Sequence, residues 1–386
     1  MITAKAPGRV EILGNHTDYN EGYVLLSTVS LQTTVTGEKR PGNKCSVYSR
    51  DLKDRAEFQV DFLRKDADHA WADYPKGVIQ QLQRSGQRLG GFSAEISSAI
   101  PFGVGLSSSA ALELSFAFFL RGLFGLEMSR LELVKLCRRA ENEFVGVDCG
   151  ILDQFSSGFG QKGALLFLDC RDLSHEIILL PASVSLVICD SGKRRSLVSS
   201  EYNQRRRECQ QALEFFQAKM VGVAALRDVT VADFQRLAPQ ISDESIRKRA
   251  RHVIFEDERV QAGKDLLKKG ELPELGNLMR LSHQSSRDLF ENSIPELDFL
   301  VECAYGLPGV IGAKLSGAGW GGATVNLVLT EKAEVFAQGL KDAYQQEFGG
   351  FTRRSPSYAK AMADKLGEGG QAQTYICSIP DGAGVF

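Results

Sequence analysis

Residues Pro101-Phe-Gly-Val-Gly-Leu-Ser-Ser-Ser-Ala-Ala111 run directly into a strongly apolar stretch, and this pairing constrains the chain more than any other segment. From Ser109 to Leu120 the side chains are apolar nearly all round, which predicts a buried helix. The small residues before it let backbone approach an anion, and the free N–H groups of a helix start point at one. The loop lacks the Gly-Lys-Ser/Thr ending of a Walker P-loop, so a nucleotide here would be held by another scheme. Alone, a Gly/Ser-rich turn before a helix is more often just a turn. Other segments have to decide.

The bulk properties exclude several classes. The chain has 386 residues, enough for two domains. A net charge of −2 and a pI near 6.3 carry no sign of a nucleic-acid partner, and no polybasic block suits a membrane surface. The start, Met-Ile-Thr-Ala-Lys-Ala-Pro, has no apolar signal core, and no apolar run has the length of a membrane helix. Eight cysteines are scattered with no C-x-x-C pair, and the five histidines do not cluster with them. The simplest reading is free thiols in a reducing cytoplasm, without a zinc site.

Strand-rich segments occupy 1–36 and 44–60, and Gly91–Ser97 alternates as a strand. Helices are expected at 74–85, after the Ser129-Arg-Leu-Glu132 capping box, and over 201–220, 244–268 and 272–291. Further strands are expected at 163–168, 185–189, 310–316, 324–329 and 373–377, with a helix before the last. Strands and helices in separate blocks predict an α+β fold. The expected division is an N-terminal domain of 1–181 and a C-terminal α+β domain of 182–386, which carries a second Gly-rich turn, Gly317–Gly322.

Two further segments could carry chemistry. The segment Pro7–Asn20 packs Arg9, Asn15, His16 and Asp18 into ten residues, a set suited to a polyhydroxyl ligand or, more blandly, to a solvated Asx-turn. Asp153 is the only charged residue between Cys149 and Gln161, which predicts partial burial and a partner, with Arg9 as a candidate; a structural ion pair or helix cap is the plain alternative. Glu141 lies at the edge of the apolar face of Leu133, Leu136, Cys137, Ala140 and Phe144. With the Ser109 hydroxyl it would make a Mg²⁺ site, although a Glu in Arg138-Arg-Ala-Glu-Asn-Glu143 also reads as surface.

In this order, Pro7-Gly-Arg…Gly14-x-His-Thr-Asp-Tyr-Asn20, Pro101-x-Gly-x-Gly-Leu-Ser-Ser-Ser-Ala-Ala111, Ala140-Glu-Asn-x-Phe-Val-Gly146, Cys149-Gly-Ile-Leu-Asp-Gln-Phe155, Ser200-Glu-Tyr-Asn-x-Arg-Arg206, Arg249-Ala-Arg-His-Val253 and Leu315-Ser-Gly-Ala-Gly-Trp-Gly-Gly322 resemble the GHMP family of small-molecule kinases, in particular its galactose-phosphorylating members. The resemblance runs over almost the whole chain. It implies two domains with the active site in the cleft between them, and transfer of the γ-phosphoryl of ATP, with Mg²⁺, to the anomeric hydroxyl of galactose. By position it assigns Asp153 and Arg9 to catalysis. Asn15, His16, Asp18, Gly150 and Tyr202 would contact the sugar. Gly103, Gly105, Leu106, Ser107, Ser108, Ser109 and Ala110 would take the ATP phosphates, and Trp71 and Tyr74 lie on the adenine side. Ser109 and Glu141 would hold Mg²⁺.

Three departures bear on these expectations. Such kinases usually have Glu where this chain has Asn15, and Asn where it has Glu11. In the family that Glu faces the sugar's 6-hydroxyl, so a C6-altered sugar such as galacturonate is the alternative substrate. The Pro-Gly-Arg motif starts at residue 7, earlier than usual, and Trp320 replaces a Phe. A non-catalytic galactose sensor is a further alternative, against which the intact phosphate loop and Asp153 argue.

Overall fold

The computed structural model describes residues 1–147, 149–194, 198–348 and 372–386. The β-rich start becomes β1 (Ile2–Leu13) and β2 (Tyr23–Lys39), which pair antiparallel along most of their length. The first half of β2 is buried on both faces and the second half alternates. The pairings explain this: residues 23–26 of β2 also pair with a later strand, whereas residues 33–39 form a ladder with β5. Next come β3 (Lys44–Ser49), β4 (Asp54–Gln59), α1 (Asp73–Arg84), β5 (Phe92–Ser98) and α2 (Ser108–Phe124).

Helix α2 meets its expectation. Leu114, Phe116, Phe118, Phe119 and Leu120 are fully buried, and Phe92 packs edge-to-face on Phe116 and Phe119. Each such ring contributes roughly 1.5–3 kcal/mol by burial. One charged residue, Glu113, is buried in the same helix. The capping box forms as predicted at the start of α3 (Arg130–Arg139), which runs into a π-helical turn, Ala140–Val145. Then follow α4 (Leu152–Phe159), β6 (Ala164–Asp169) and β7 (His175–Leu179).

Beyond these, β8 (Val184–Asp190) opens a second sheet. A helical layer follows: α5 (Val198–Gln217), α6 (Val231–Leu237), α7 (Glu244–Lys269), α8 (Leu272–Ser285) and α9 (Pro295–Gly306). The chain closes with β9 (Val310–Ser316), β10 (Ala323–Leu329), α10 (Ala333–Phe348), β11 (Gln373–Cys377) and β12 (Gly384–Val385). The large sheet has the order β12-β1-β2-β5-β3-β4, with β6 on β2 and β7 on β6; the small one is β11-β8-β10-β9. The helix expected over 272–291 is α-helical only to Ser285 and then widens into a π turn, Ser286–Phe290. The sequence reading had no element at β7, α6, α9 or β12.

Two local features aim the functional residues. The β1–β2 ladder shifts register between Pro7 and Gly8, where β2 carries two extra residues, Ser30 and Leu31, and just beyond it β1 meets the Gly/Ser-rich loop, where the Arg9 N–H donates to the Leu106 carbonyl at 3.1 Å. A Cβ on Gly8 would meet that same carbonyl at 2.8 Å, so only glycine permits the approach. The C-terminal helices then pack against the loop that joins β1 to β2.

Candidate active site

A cavity of about 440 Å³ opens between β1, α4, α5 and the second Gly-rich turn. It gathers Arg9, Asn15, His16, Asp18, Glu141, Gly150, Asp153 and Tyr202, eight residues proposed from sequence, on one surface. Glu11, Cys149, Gly317 and Ala318 join them there.

Arg9 and Asp153 form its centre. Asp153 stands in the first turn of α4, and its Oδ1 accepts from Arg9 Nε at 2.7 Å and Nη2 at 2.6 Å. The third guanidinium nitrogen, Nη1, donates to the Gly105 carbonyl at 2.7 Å. One buried arginine thus ties the carboxylate to the Gly/Ser-rich loop. Both residues line the cavity, but Asp153 keeps about a third of its side chain exposed (31%) while Arg9 is nearly buried (7%).

His16 is held in a left-handed backbone conformation (φ 61°) between aromatic rings. Its Nε2 donates to the Ala318 carbonyl at 3.0 Å, since a carbonyl can only accept. Nδ1 then accepts from the Tyr19 hydroxyl at 3.0 Å. The ring lies 4.4 Å from Phe290 and within 6 Å of Tyr202 and Trp320. Burial, and then the nearby Asp153 charge, push Asp18 up to about 6. The missing side chain of Gly150 makes room for the Asp18 carboxylate, which a Cβ there would displace. Burial pushes the Tyr202 hydroxyl well above its ordinary value, so it is a neutral donor.

Asn15 differs from expectation. It is fully buried and its amide is already engaged on both sides. Nδ2 donates to the Gly317 carbonyl at 2.8 Å and to Glu11 Oε2 at 3.3 Å; Oδ1 accepts from Asn292 Nδ2 at 2.9 Å and Ser286 Oγ at 3.1 Å. Glu11, treated from sequence only as a departure, is a buried carboxylate in the wall, paired to Lys314 at 2.7 Å.

The residues expected from sequence to take the nucleotide form a neighbouring group outside the cavity's lining. Ser107 caps α2 with φ 58°, and its buried hydroxyl has no partner among the described residues. An unsatisfied donor at a long helix's N-terminus suits an anion. Ser108, Ser109 and Ala110 form the first turn behind it, and Gly103 and Gly105 both have positive φ. Trp71 and Tyr74 flank the start of α1, with Trp71 Nε1 donating to Asp54 Oδ2 at 2.7 Å. Tyr74 is pushed up by burial and by Glu141.

Glu141 points inward, contrary to the surface reading. Its partners are the Gln154 amide at 2.6 Å, the Cys149 thiol at 3.4 Å and the Ser109 hydroxyl. No Lys or Arg pairs with it among the described residues, and burial followed by the Asp153 charge raises its pKa. A buried carboxylate and a hydroxyl, short of a cation, fit a hard divalent ion that keeps phosphate and water as its other ligands. No group of three or more His, Cys, Asp or Glu able to hold a metal occurs among the described residues.

Family models match in three places: the GHMP kinases N-terminal domain over 73–161, the galactokinase galactose-binding signature over 2–39 and the GHMP kinases C-terminal region over 264–346. A galactokinase of Roseiflexus sp. is 40% identical over 95% of this chain and 92% of its own length. The Bacillus subtilis galactokinase is 40% identical over 89% of both. The chain belongs to the galactokinase family of GHMP kinases. Among solved structures, Lactococcus lactis galactokinase complexed with galactose superposes with a TM-score of 0.88 at 34% identity, covering 99% of this chain and 94% of that one. Mevalonate kinase of Methanococcus jannaschii, at 18% identity and a TM-score of 0.67, shares the fold. Membership in this family also accounts for the α+β architecture and the site's place beside the Gly/Ser-rich loop.

Proposed function

We infer that this protein transfers the γ-phosphoryl group of ATP to the anomeric hydroxyl of galactose, giving galactose 1-phosphate and ADP. The observation that carries the mechanism is the Arg9–Asp153 contact at 2.6 Å, with Arg9 also bound to the Gly105 carbonyl. Arg9 occupies Asp153 Oδ1, and the carboxylate's second oxygen serves the sugar. It orients the 1-hydroxyl toward the phosphate loop and accepts its proton as the new O–P bond forms and the bond to the ADP oxygen breaks. Phosphoryl transfer needs positioning and charge stabilisation more than covalent help, and the start of α2 supplies both for the phosphates.

Asp18 and Tyr202 bind sugar hydroxyls, and His16, whose ring nitrogens are engaged by Tyr19 and Ala318, packs its ring against the sugar beside them. Ser107, Ser108, Ser109 and Ala110 cradle the phosphates below Gly103, Gly105 and Leu106, and Trp71 and Tyr74 border the adenine. Ser109 and Glu141 would hold Mg²⁺, which when bound neutralises charge on the transferring phosphates. The cleft lies between an N-terminal unit of 1–181 and a C-terminal unit of 182–386, with the last strand, β12, returning to β1. We place the reaction in the cytoplasm, with no nucleic-acid or membrane partner. The eight free cysteines suit a reducing compartment, and among the described residues no helix is long and apolar enough to cross a membrane.

The test is ATP-dependent 1-phosphorylation across a panel of hexoses that includes galacturonate. Galactose is expected to give the highest kcat/KM. Good turnover of galacturonate with poor turnover of galactose would overturn the substrate and favour the hexuronic acid.

A further inference from the structure

The motif Arg249-Ala-Arg-His-Val253 and the charged residues after it contribute nothing to the cavity wall, yet α7 is bonded to the loop that does. His252 and Glu256 share one face of α7 by their i,i+4 spacing, Asp257 stands next to Glu256 a quarter-turn round, and all three are buried. His252 Nε2 donates to the Asn15 carbonyl at 2.8 Å, and its Nδ1 accepts from the Ser285 hydroxyl at 2.8 Å. Glu256 Oε1 accepts from the Gly14 N–H at 2.9 Å, the Asn15 N–H at 3.3 Å and the Ser282 hydroxyl at 2.6 Å, while Oε2 pairs with Arg259 at 2.6 Å. Asp257 Oδ1 takes the Tyr23 N–H at 2.7 Å. The loop from Gly14 to Tyr23 is therefore gripped at both ends by one helix more than 200 residues away in sequence.

Between these anchors sit His16 and Asp18. His16 has a positive φ, a conformation that is unfavourable for a residue with a side chain and persists only where surroundings impose it. Both peptide groups flanking the Asn15 Cα are bonded to α7, one to Glu256 and the other to His252. Those bonds fix the backbone immediately before His16.

We propose that His252 and Glu256 are positioning residues of the sugar site: they set the two peptide planes around Asn15, and so the direction in which His16 and Asp18 enter the cavity. The sugar-binding part rests on the galactose reading above; the loop-fixing part does not.

Three variants and a control test it. His252→Leu removes the donor at similar volume, His252→Gln restores an N–H at the same reach, and Glu256→Gln keeps the shape but drops the charge. Val253→Ala, a cavity in the helical core on another face of α7, controls for lost stability. In the ligand-free protein, amide hydrogen exchange of residues 14–23 is expected to quicken by about tenfold in His252→Leu and Glu256→Gln relative to Val253→Ala. The KM for galactose should rise by about tenfold with the KM for ATP within about twofold, and His252→Gln should recover most of both effects. Unchanged exchange in the loop, or an equal rise in Val253→Ala at matched loss of Tm, overturns the proposal. If His252→Leu does not fold, Ser285→Ala, which frees the far nitrogen of His252, gives the same readout in milder form. Absence of galactose turnover in the wild-type protein would strike the functional reading instead, while the exchange experiment still decides this one.

Discussion

At the sugar end of the cleft, Glu11 meets Lys314 at 2.7 Å and Glu256 meets Arg259 at 2.6 Å. At the phosphate end, Glu113 and Glu141 share a single amide, that of Gln154, at 3.0 and 2.6 Å, and neither has a cationic partner among the described residues. The electrostatic outcome differs accordingly. Burial pushes Glu256 up, but Arg259 and then His252 outweigh it and bring the carboxyl down to about 2. Burial, joined by the Glu141 charge at Glu113 and by the Asp153 charge at Glu141, leaves those two raised. Paired carboxylates brace the architecture. Unpaired ones store a demand for positive charge, which the proposed cation on ATP would meet.

Removing the group at the junction of the two ends should have the largest effect. Asp153→Ala is expected to lower kcat by at least about 10²–10⁴-fold while circular dichroism stays native, because the helix keeps its apolar contacts. Near-normal kcat in a folded variant would deny Asp153 its role. Arg9→Ala should follow at about a hundredfold, since Asp153 and the Gly105 carbonyl both lose their donor and the two ends are no longer linked.

The comparison itself breaks or holds on stability. For a carboxyl raised by folding, stability is greatest when the group is protonated and falls as pH rises through the raised value. For one lowered by folding, stability is present above the ordinary range and is lost as pH falls toward the lowered value. At pH 7 without metal, Glu141→Gln is therefore expected to raise Tm and Glu256→Gln to lower it. In activity, Glu141→Ala should cost at least about tenfold, more than Ser109→Ala, and added Mg²⁺ should recover part of the loss in either variant. A fall in metal-free Tm for Glu141→Gln would show that this carboxylate is braced like the other pair.

Much of this division could be read in the sequence, but not all. Asp153 announced itself because no other charge lies near it in the chain, and a lone carboxylate among small and apolar residues needs a partner. The capping box at Ser129 is local chemistry and formed as read. Glu113 was invisible because one acid in an otherwise apolar helix does not disturb the pattern. His252, Glu256 and Asp257 lie in a run of charges that looks like a solvated face; only packing of α7 on a distant loop gives them work. The second half of the 272–291 segment keeps a helical pattern but changes its hydrogen bonding, a distinction that side-chain periodicity does not carry.

Asp18 is the exception among the cavity's carboxylates at the sugar end, a half-buried group that desolvation and Asp153 raise to about 6. Ionised, it accepts a much stronger, charge-assisted hydrogen bond from a sugar hydroxyl than when protonated. The kcat/KM for galactose is expected to fall by about tenfold per pH unit below about 6. In Asp18→Asn that limb should flatten while the plateau drops. An acid limb unchanged in Asp18→Asn would assign it elsewhere.

The smallest and sharpest effect concerns the Glu11–Asn15 pair. Relative to the pattern its relatives resemble, this chain carries the carboxylate at 11 and the amide at 15. Sequence alone suggests that Asn15→Glu would improve galactose turnover by adding a charged acceptor. The structure argues otherwise. The Asn15 amide donates to the Gly317 carbonyl and to Glu11 Oε2, and a Glu at that place would turn both contacts repulsive. Asn15→Glu should therefore raise the KM for galactose several-fold, consistent with about 1–2 kcal/mol for one lost bond and a like-charge contact. The exchange Glu11→Asn with Asn15→Glu keeps one carboxylate and one amide, removes the repulsion between the two side chains but not that with the Gly317 carbonyl, and leaves Lys314 its bond to the Leu315 carbonyl at 2.8 Å. It should recover part of the lost kcat/KM. Steady-state kinetics on galactose for the two single variants and the exchange decide the matter. Additive losses in the double variant would mean that the two residues act independently, and that the buried pair is not one polar unit.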